Sequence, residues 1–407
     1  MNVTAGVILL YCVATVVAIV TQRLRVPYTA ALLLVGVALG GLHIVALPHL
    51  TRELLFALFL PGLLFEAAYH LEVRELRENA WAIGALAVPG VAVAIAVTAL
   101  VLVAGAALLG RDIGWTTALV FGGVIAATDP VAVTALFREV AAPRRLHVLV
   151  ESESLLNDGT SIVFLTLMLA YYFAGESPTA IALVLDFFRI AGGGALVGLV
   201  AGWGISHIRT RLDDAAIDIT LTTIAAYGAF VLAEQLHCSG VIATVAAGVV
   251  CGHTGRHDAM TAGTRQAVDG FWEWLAFALN SAVFLLLGAE LSGSLLVHEW
   301  PLLLLGAGAA LAARAFVVEL VGLGLRRTTE RLPRAWRVVM VWGGLRGALS
   351  LVLALALPAS AGNRPLIIAL TAGTVMLSLV GQGATMSIVL RRLGVAGAAA
   401  GADRARD

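Results

Sequence analysis

The chain has 407 residues, 60% of them hydrophobic and 13% charged, with a mean hydropathy of +0.95 and no net charge. Soluble domains carry about 25% charged and 45–50% apolar residues, so this composition excludes a soluble enzyme with a single anchor. Zero net charge offers no electrostatic footprint for nucleic acid, and the absence of lysine, all 26 basic residues being arginine, excludes any mechanism that needs an intramembrane lysine.

A membrane-spanning helix needs about 20 mostly apolar residues. Such runs fall at 3–22, 27–47, 51–71, 80–109, 115–137, 146–173, 184–208, 216–236, 239–254, 270–291, 300–324, 336–357 and 366–390. This predicts an all-α polytopic protein of about thirteen spans. The first run has no basic leader region and reads as a retained span. With the N-terminus placed outside, the inner loops, adjoining span ends and C-terminal tail receive twenty of the arginines. They include Arg25, Arg138, Arg144, Arg145, Arg209, Arg211, Arg256, Arg404 and Arg406. The outer side receives Arg52, Arg111, Arg189 and Arg364. That asymmetry satisfies the positive-inside rule and predicts an inner C-terminus. Residues 1–392 then form one transmembrane unit, and 393–407 a short inner tail.

The fifth span contains AATDPVAV, residues 126–133, and the twelfth contains WGGLRGALS, residues 342–350. Pro130 removes a backbone donor, and glycines surround Arg346. Simple kinks are the alternative reading, because proline and glycine are common in membrane helices. The coincident Asp129 and Arg346 favour two true breaks, since irregular backbone at membrane depth survives only inside protein or beside water. Repeat one at 3–173, a linker helix at 184–208 and repeat two at 216–390 place both broken spans fifth in their half. Six spans per half and one connector make the halves opposite in topology, an inverted repeat with a binding site at its breaks. Where broken helices cross, like ends meet, and an aspartate and an arginine are suited to neutralise them.

The sixth span contains ESESLLNDGT, residues 151–160. A charge at mid-bilayer costs at least about 2.5–3.5 kcal/mol, so these acids need a purpose. Ser154 and Asp158 are one helical turn apart on one face, and offer the hard oxygens that suit a small hard cation. Thr128 lies beside the break in span five, where freed carbonyls are available. Glu66, in LPGLLFEAAYHL of span three, has no local basic partner. Glu153 is about 140° around the helix from Asp158 and needs a partner of its own. Arg314, within GAALAARAFVVEL of span eleven, is the preferred one, and Arg346 the competitor.

Other polar residues read as structural. Glu151 is nearest the inner surface, and Glu234, Glu319, Asp186 and Asp218 sit at span edges. Cys12, Cys238 and Cys251 read as buried thiols rather than a disulfide framework. His253 and His257 share a helical spacing in an inner loop and read as a solvated pair. His237, Ser239 and Gly240 in LHCSGV suggest a hydrolase, but residues two apart do not face each other on a helix.

TDP in one span, ESESLLNDG in the next and GGLRGALS near the end resemble the monovalent cation:proton antiporters of the NhaP and NHE type. The resemblance covers the whole membrane region. It implies the sodium/proton antiporter fold, with a core domain that moves against a dimerisation domain, and hence a homodimer. It implies that Asn157–Asp158 is the family's Asn-Asp pair, with Asp158 carrying cation or proton. Ser154, Thr128 and Glu66 complete a Na⁺ site, Glu153 pairs with Arg314, and Asp129 and Arg346 serve the crossing. It places the protein in the cell inner (plasma) membrane, with monovalent cations and protons as cargo and no cofactor. If one carboxylate binds either H⁺ or one cation, each loaded state is locally neutral and the bare carboxylate cannot cross, so exchange is forced. That predicts electroneutral 1:1 exchange of Na⁺, with Li⁺ as a companion substrate, for H⁺ by alternating access. K⁺/H⁺ exchange through the same site is the first alternative, and an ion channel, which lacks a carbonyl-filter repeat here, the second.

Overall fold

The computed structural model describes residues 3–24, 28–42, 54–175, 179–209, 213–255, 261–290 and 299–395. Arg25, Arg52, Arg211, Arg256, His257, Arg404, Arg406 and the tail beyond residue 395 lie outside the described residues. Every regular element among the described residues is helical. Hydrocarbon offers a backbone no water, so each apolar run closes its own hydrogen bonds.

The helices are α1 (Val3–Leu24), α2 (Tyr28–Leu42), α3 (Leu55–Tyr69, which opens with a π turn), α4 (Val73–Glu78), α5 (Ala80–Ala87) and α6 (Pro89–Leu108). There follow α7 (Trp115–Ile125), α8 (Val131–Glu139), α9 (Arg144–Ala174), α10 (Ala180–Arg209), α11 (Ala215–Gln235), α12 (Gly240–Thr254) and α13 (Ala262–Glu290). The last are α14 (Trp300–Gly324), α15 (Arg334–Trp342), α16 (Ala348–Leu355), α17 (Arg364–Leu377) and α18 (Gly383–Arg392). A π turn, Ser378–Gln382, joins α17 to α18. Among the described residues, seven helices are long and apolar enough to cross a bilayer, and five shorter apolar helices accompany them.

Two spans differ from the sequence reading. Pro89 splits the fourth, because it lacks an N–H and its ring crowds the previous turn. The tenth begins at Ala262 instead of residue 270, since the helix continues through the polar stretch around Arg265 and Asp269.

The chain forms two compact units, 1–50 with 78–161 and 281–407, and 51–77 with 162–280. Each draws on both proposed repeats. In the first, α14 packs against α6 and α17, α7 against α6, and α16 against α17. In the second, α12 is central and packs against α3, α10 and α11. Gly198 of α10 permits that approach, since a Cβ there would lie 2.0 Å from the carbonyl oxygen of Ala243. Small residues let membrane helices meet backbone to backbone, which replaces a hydrophobic drive that lipid does not supply. The core of this unit gathers Phe65, Tyr69 and Trp272 among alanines of α11 and α12. The Phe65 and Trp272 rings are 4.5 Å apart, and Trp272 Nε1 donates to Thr222 Oγ1 at 3.1 Å.

Two structural readings are corrected. Asp218 does lie at the edge of its span, in the first turn of α11, but it is fully buried with Arg209, which is 1% exposed rather than looped into solvent. Arg209 Nε lies 3.4 Å from Asp218 Oδ1, and its Nη1 donates to the Cys251 carbonyl at 3.2 Å. The last turn of α10 carries Arg209 inward, where it also satisfies the carbonyl end of α12. Cys251 is buried but Cys12 is exposed, because α1 turns that face outward. In LHCSGV, His237 adopts a positive φ of 55° and Ser239 caps α12 by accepting from the Ile242 amide at 3.2 Å. The motif is a helix–helix turn.

Candidate functional site

Helix α7 stops at Ile125, residues 126–130 leave the helical conformation, and α8 starts at Val131. Helix α15 stops at Trp342, and α16 starts at Ala348 after a similar break. The two breaks touch. The Asp129 amide donates to the Leu345 carbonyl at 2.7 Å. Gly347 makes the approach possible, because a Cβ there would sit 2.3 Å from Asp129 Cβ.

Charges sit at the matching helix ends. Arg346 Nη1 donates to the carbonyls of Ile125, Ala126 (2.9 Å) and Ala127 (3.3 Å), the negative end of α7. Its Nη2 reaches the Ala310 carbonyl at 3.4 Å. Asp129 Oδ1 accepts from the Val131 amide at 3.0 Å, the positive end of α8. Ser378, in the π turn after α17, accepts from the Arg346 amide at 3.1 Å. A π turn widens the helix at that point, a feature frequent at functional positions. Sequence reasoning missed Ser378, whose only signal is a hydroxyl within an apolar run.

Arg314 and Glu153 form a bidentate pair, Nη1 to Oε1 at 2.6 Å and Nη2 to Oε2 at 2.8 Å. They are 6% and 1% exposed. Arg314 Nε also donates to the Met340 carbonyl at 3.2 Å, near the end of α15. A cavity of about 320 Å³ borders this region, lined by Arg314, Gly344, Arg346, Thr374 and Ser378 among others.

Helix α9 brings Ser154, Asn157 and Asp158 to the break in α7. Asn157 Nδ2 lies 3.1 Å from the Ala126 carbonyl, 3.3 Å from Thr128 Oγ1 and 3.4 Å from Glu153 Oε1. Ser154 Oγ donates to the Thr128 carbonyl at 2.5 Å and accepts from Thr128 Oγ1 at 3.1 Å. Asp158 is half-buried, the Thr128 amide donates toward it, and Asp129 and Glu153 are its neighbouring carboxylates. Asp158 Oδ1 and Asn157 Oδ1 are buried with no hydrogen-bond partner among the described residues. Buried acceptors are ordinarily satisfied, and these two oxygens are exceptions on consecutive residues of α9.

Eight of the nine expected site residues therefore lie in the first unit, at or beside the two breaks. Glu66 lies on α3 in the second unit. Its carboxylate Oε1 is 3.4 Å from His70 Nδ1, a local basic partner that the sequence reading did not assign.

Residues 8–392 match the family described as sodium/hydrogen exchanger, transmembrane. The chain is 36% identical over 388 residues to the Na⁺/H⁺ antiporter ApNhaP of Aphanothece halophytica, covering 95% of this chain and 73% of that protein. It is 37% identical over 348 residues to the Na⁺/H⁺ antiporter NhaP of Pseudomonas aeruginosa, covering 84% and 81%. Its fold matches the solved structure of the sodium proton antiporter MjNhaP1 from Methanocaldococcus jannaschii with a TM-score of 0.81. That match covers 96% of this chain and 98% of the other at 21% identity. The multi-span architecture and these relatives agree: the chain belongs to the transmembrane sodium/hydrogen exchanger family.

Proposed function

We propose that this protein is a secondary antiporter that exchanges Na⁺ for H⁺, with both ions competing for Asp158. The observation that carries the reading is the pair of unpartnered buried oxygens, Asp158 Oδ1 and Asn157 Oδ1, beside the Thr128 carbonyl freed at the break. These are hard oxygen donors, suited to an alkali cation. Ser154 and Thr128 orient each other and hold that carbonyl. Asn157 is fixed by its amide, which leaves its oxygen free. Glu66 is a further carboxylate that the cation uses.

The cycle needs no cofactor. Protonated Asp158 is neutral, as is Asp158 with one cation. Bare Asp158 is a lone charge, costly to carry through a low-dielectric barrier. Only loaded states move, so exchange is one for one and electroneutral. Arg346 and Asp129 neutralise the broken helix ends through the movement, and the Arg314–Glu153 pair locks α9 to α14. The transporter works as a homodimer in the plasma membrane, with its N-terminus outside and its C-terminus inside.

The test is purified protein in sealed vesicles with an acidic interior and an internal pH dye. External Na⁺ collapses the gradient with wild type and not with Asp158→Asn. A mutant as active as wild type overturns the assignment. A response to K⁺ and not Na⁺ keeps the mechanism and changes the substrate.

A further inference from the structure

Within the first unit, hydrogen bonds gather the starts of α5, α9 and α15 and the loop after α14 around Arg145. Its Nε donates to Asn79 Oδ1 at 2.7 Å, and its Nη1 donates to the Arg331 carbonyl at 3.4 Å on an exposed face. The guanidinium lies over the Trp336 ring, 5.6 Å from the centroid. All three partners are neutral, and Nη2 has no hydrogen-bond partner among the described residues. Arg144 and Glu78, next to Arg145 and Asn79 in the chain, already have contacts of their own. Residues 326–337 hold five arginines and one acid. Arg337 pairs with Glu319. Arg326, Arg327, Arg331 and Arg334 are exposed, with no acidic partner among the described residues. The one acid, Glu330, is turned inward and is 7% exposed. Its carboxylate accepts from the amides of Trp81 at 3.4 Å and Ala82 at 2.8 Å, which satisfies the first turn of α5. The Trp81 side chain itself is 78% exposed.

We propose that this face holds one anionic phospholipid, its phosphodiester bound by Arg145, Arg331 and Arg334 and its glycerol and upper chains resting on Trp81. Three guanidiniums without an acid of their own favour an anion, and the paired N–H groups of arginine match phosphate oxygens. Arg145 is already fixed by neutral partners, so binding costs it little rotamer freedom. The occupant is a lipid because four helix ends meet here, at the depth where spans leave the hydrocarbon. An exposed tryptophan is favoured at that level, with its ring among chains and its N–H among headgroups. Basic clusters between helix ends at a membrane face are where acidic headgroups dock. The positive-inside rule accounts for arginines on this side of the membrane. It does not account for Glu330 being drawn into α5, or for Arg145 being held on Trp336. Lipid capture here is independent of which ion Asp158 carries.

The experiment is a lipid titration of the purified full-length protein in detergent, read by native mass spectrometry. The probes are phosphatidylglycerol, phosphatidylcholine with the same chains, and inorganic phosphate. Wild type is expected to hold one phosphatidylglycerol more tightly than phosphatidylcholine, and inorganic phosphate does not displace it. A hydrogen bond to a charged group is worth about tenfold in binding. Arg145→Gln, and separately Arg331→Gln with Arg334→Gln, are therefore each expected to weaken phosphatidylglycerol binding about tenfold and to leave phosphatidylcholine binding unchanged. Trp81→Ala weakens both lipids, because it removes the seat for the chains. The Arg331 and Arg334 side chains are exposed, so that variant folds even if Arg145→Gln does not. The control is Arg391→Gln with Arg392→Gln, which removes the same charge at the exposed end of α18 and leaves binding as in wild type. An equal loss in the control means diffuse attraction to charge and overturns the site. Equal binding of the two lipids overturns it as well. Displacement of the lipid by inorganic phosphate marks a soluble-anion site and overturns the assignment to a lipid.

Discussion

The backbone amide of Asp129 donates to the carbonyl of Leu345 at 2.7 Å, which joins the two interrupted helices at their breaks. One hydrogen bond thus links chain segments more than two hundred residues apart. Around it the charges follow the helix ends, Arg346 on carbonyls and Asp129 on an amide. A break that leaves carbonyls such as that of Thr128 out of the helix ladder is stable only with such partners. The same feature that threatens stability offers the carbonyl oxygen that the proposed function assigns to the cation.

The proposed competition at Asp158 predicts a pH dependence. Protons and Na⁺ exclude one another, so the apparent KM for Na⁺ rises as pH falls, while maximal rate at saturating Na⁺ changes less. Efflux assays between pH 6 and 9 measure this, and a KM independent of pH contradicts a shared site.

Electroneutral exchange has its own signature. With K⁺ and valinomycin clamping the vesicle potential, the rate of Na⁺-driven proton efflux stays constant across clamped voltages. A rate that follows the potential means a second charge moves per cycle.

The Glu153–Arg314 pair is buried, so removing one partner strands the other. Arg314→Met is expected to cost about 3–5 kcal/mol, seen as a lowered melting temperature in detergent. The double change of Arg314→Met with Glu153→Leu recovers part of that loss, because neither charge remains. Equal melting of single and double variants contradicts the pairing as a stability element.

Arg209 and Asp218 make a parallel case in the second unit. Asp218→Asn leaves a buried guanidinium without its carboxylate and destabilises by about 3–5 kcal/mol. Protease resistance of the purified variant reads this directly. An unchanged digestion rate marks the pair as dispensable.

Gly347→Val forces a side chain into Asp129, where a Cβ already lies 2.3 Å away. The breaks must separate, so exchange is lost and the melting temperature falls. Gly198→Val acts likewise between α10 and α12, and its effect is on folding rather than on KM. Wild-type melting for either variant contradicts the close approaches.

Much of the site was legible in the linear chain because charge in hydrocarbon is costly. Asp158, Glu153, Arg314, Asp129 and Arg346 stand out against apolar runs, and each needs a reason to be there. The Arg314–Glu153 choice followed from counting charges without partners. Asp218 and Arg209 escaped the same logic because they lie at helix ends, where sequence cannot separate a solvated charge from a buried one. His70 escaped because a histidine one turn after a glutamate is common on any helix.

The sequence by itself determined the class of molecule, the approximate spans, the two breaks and the acids that gather beside them. Hydrophobic run length and the cost of isolated charge are local quantities that a chain carries in its order. Only the tertiary structure decided which break meets which, that the Asn157 and Asp158 oxygens stay unpartnered among the described residues, and that Ser378 holds Arg346. Those are contacts between helices, set by how small residues let backbones approach, and packing of that kind is a property of the assembled bundle.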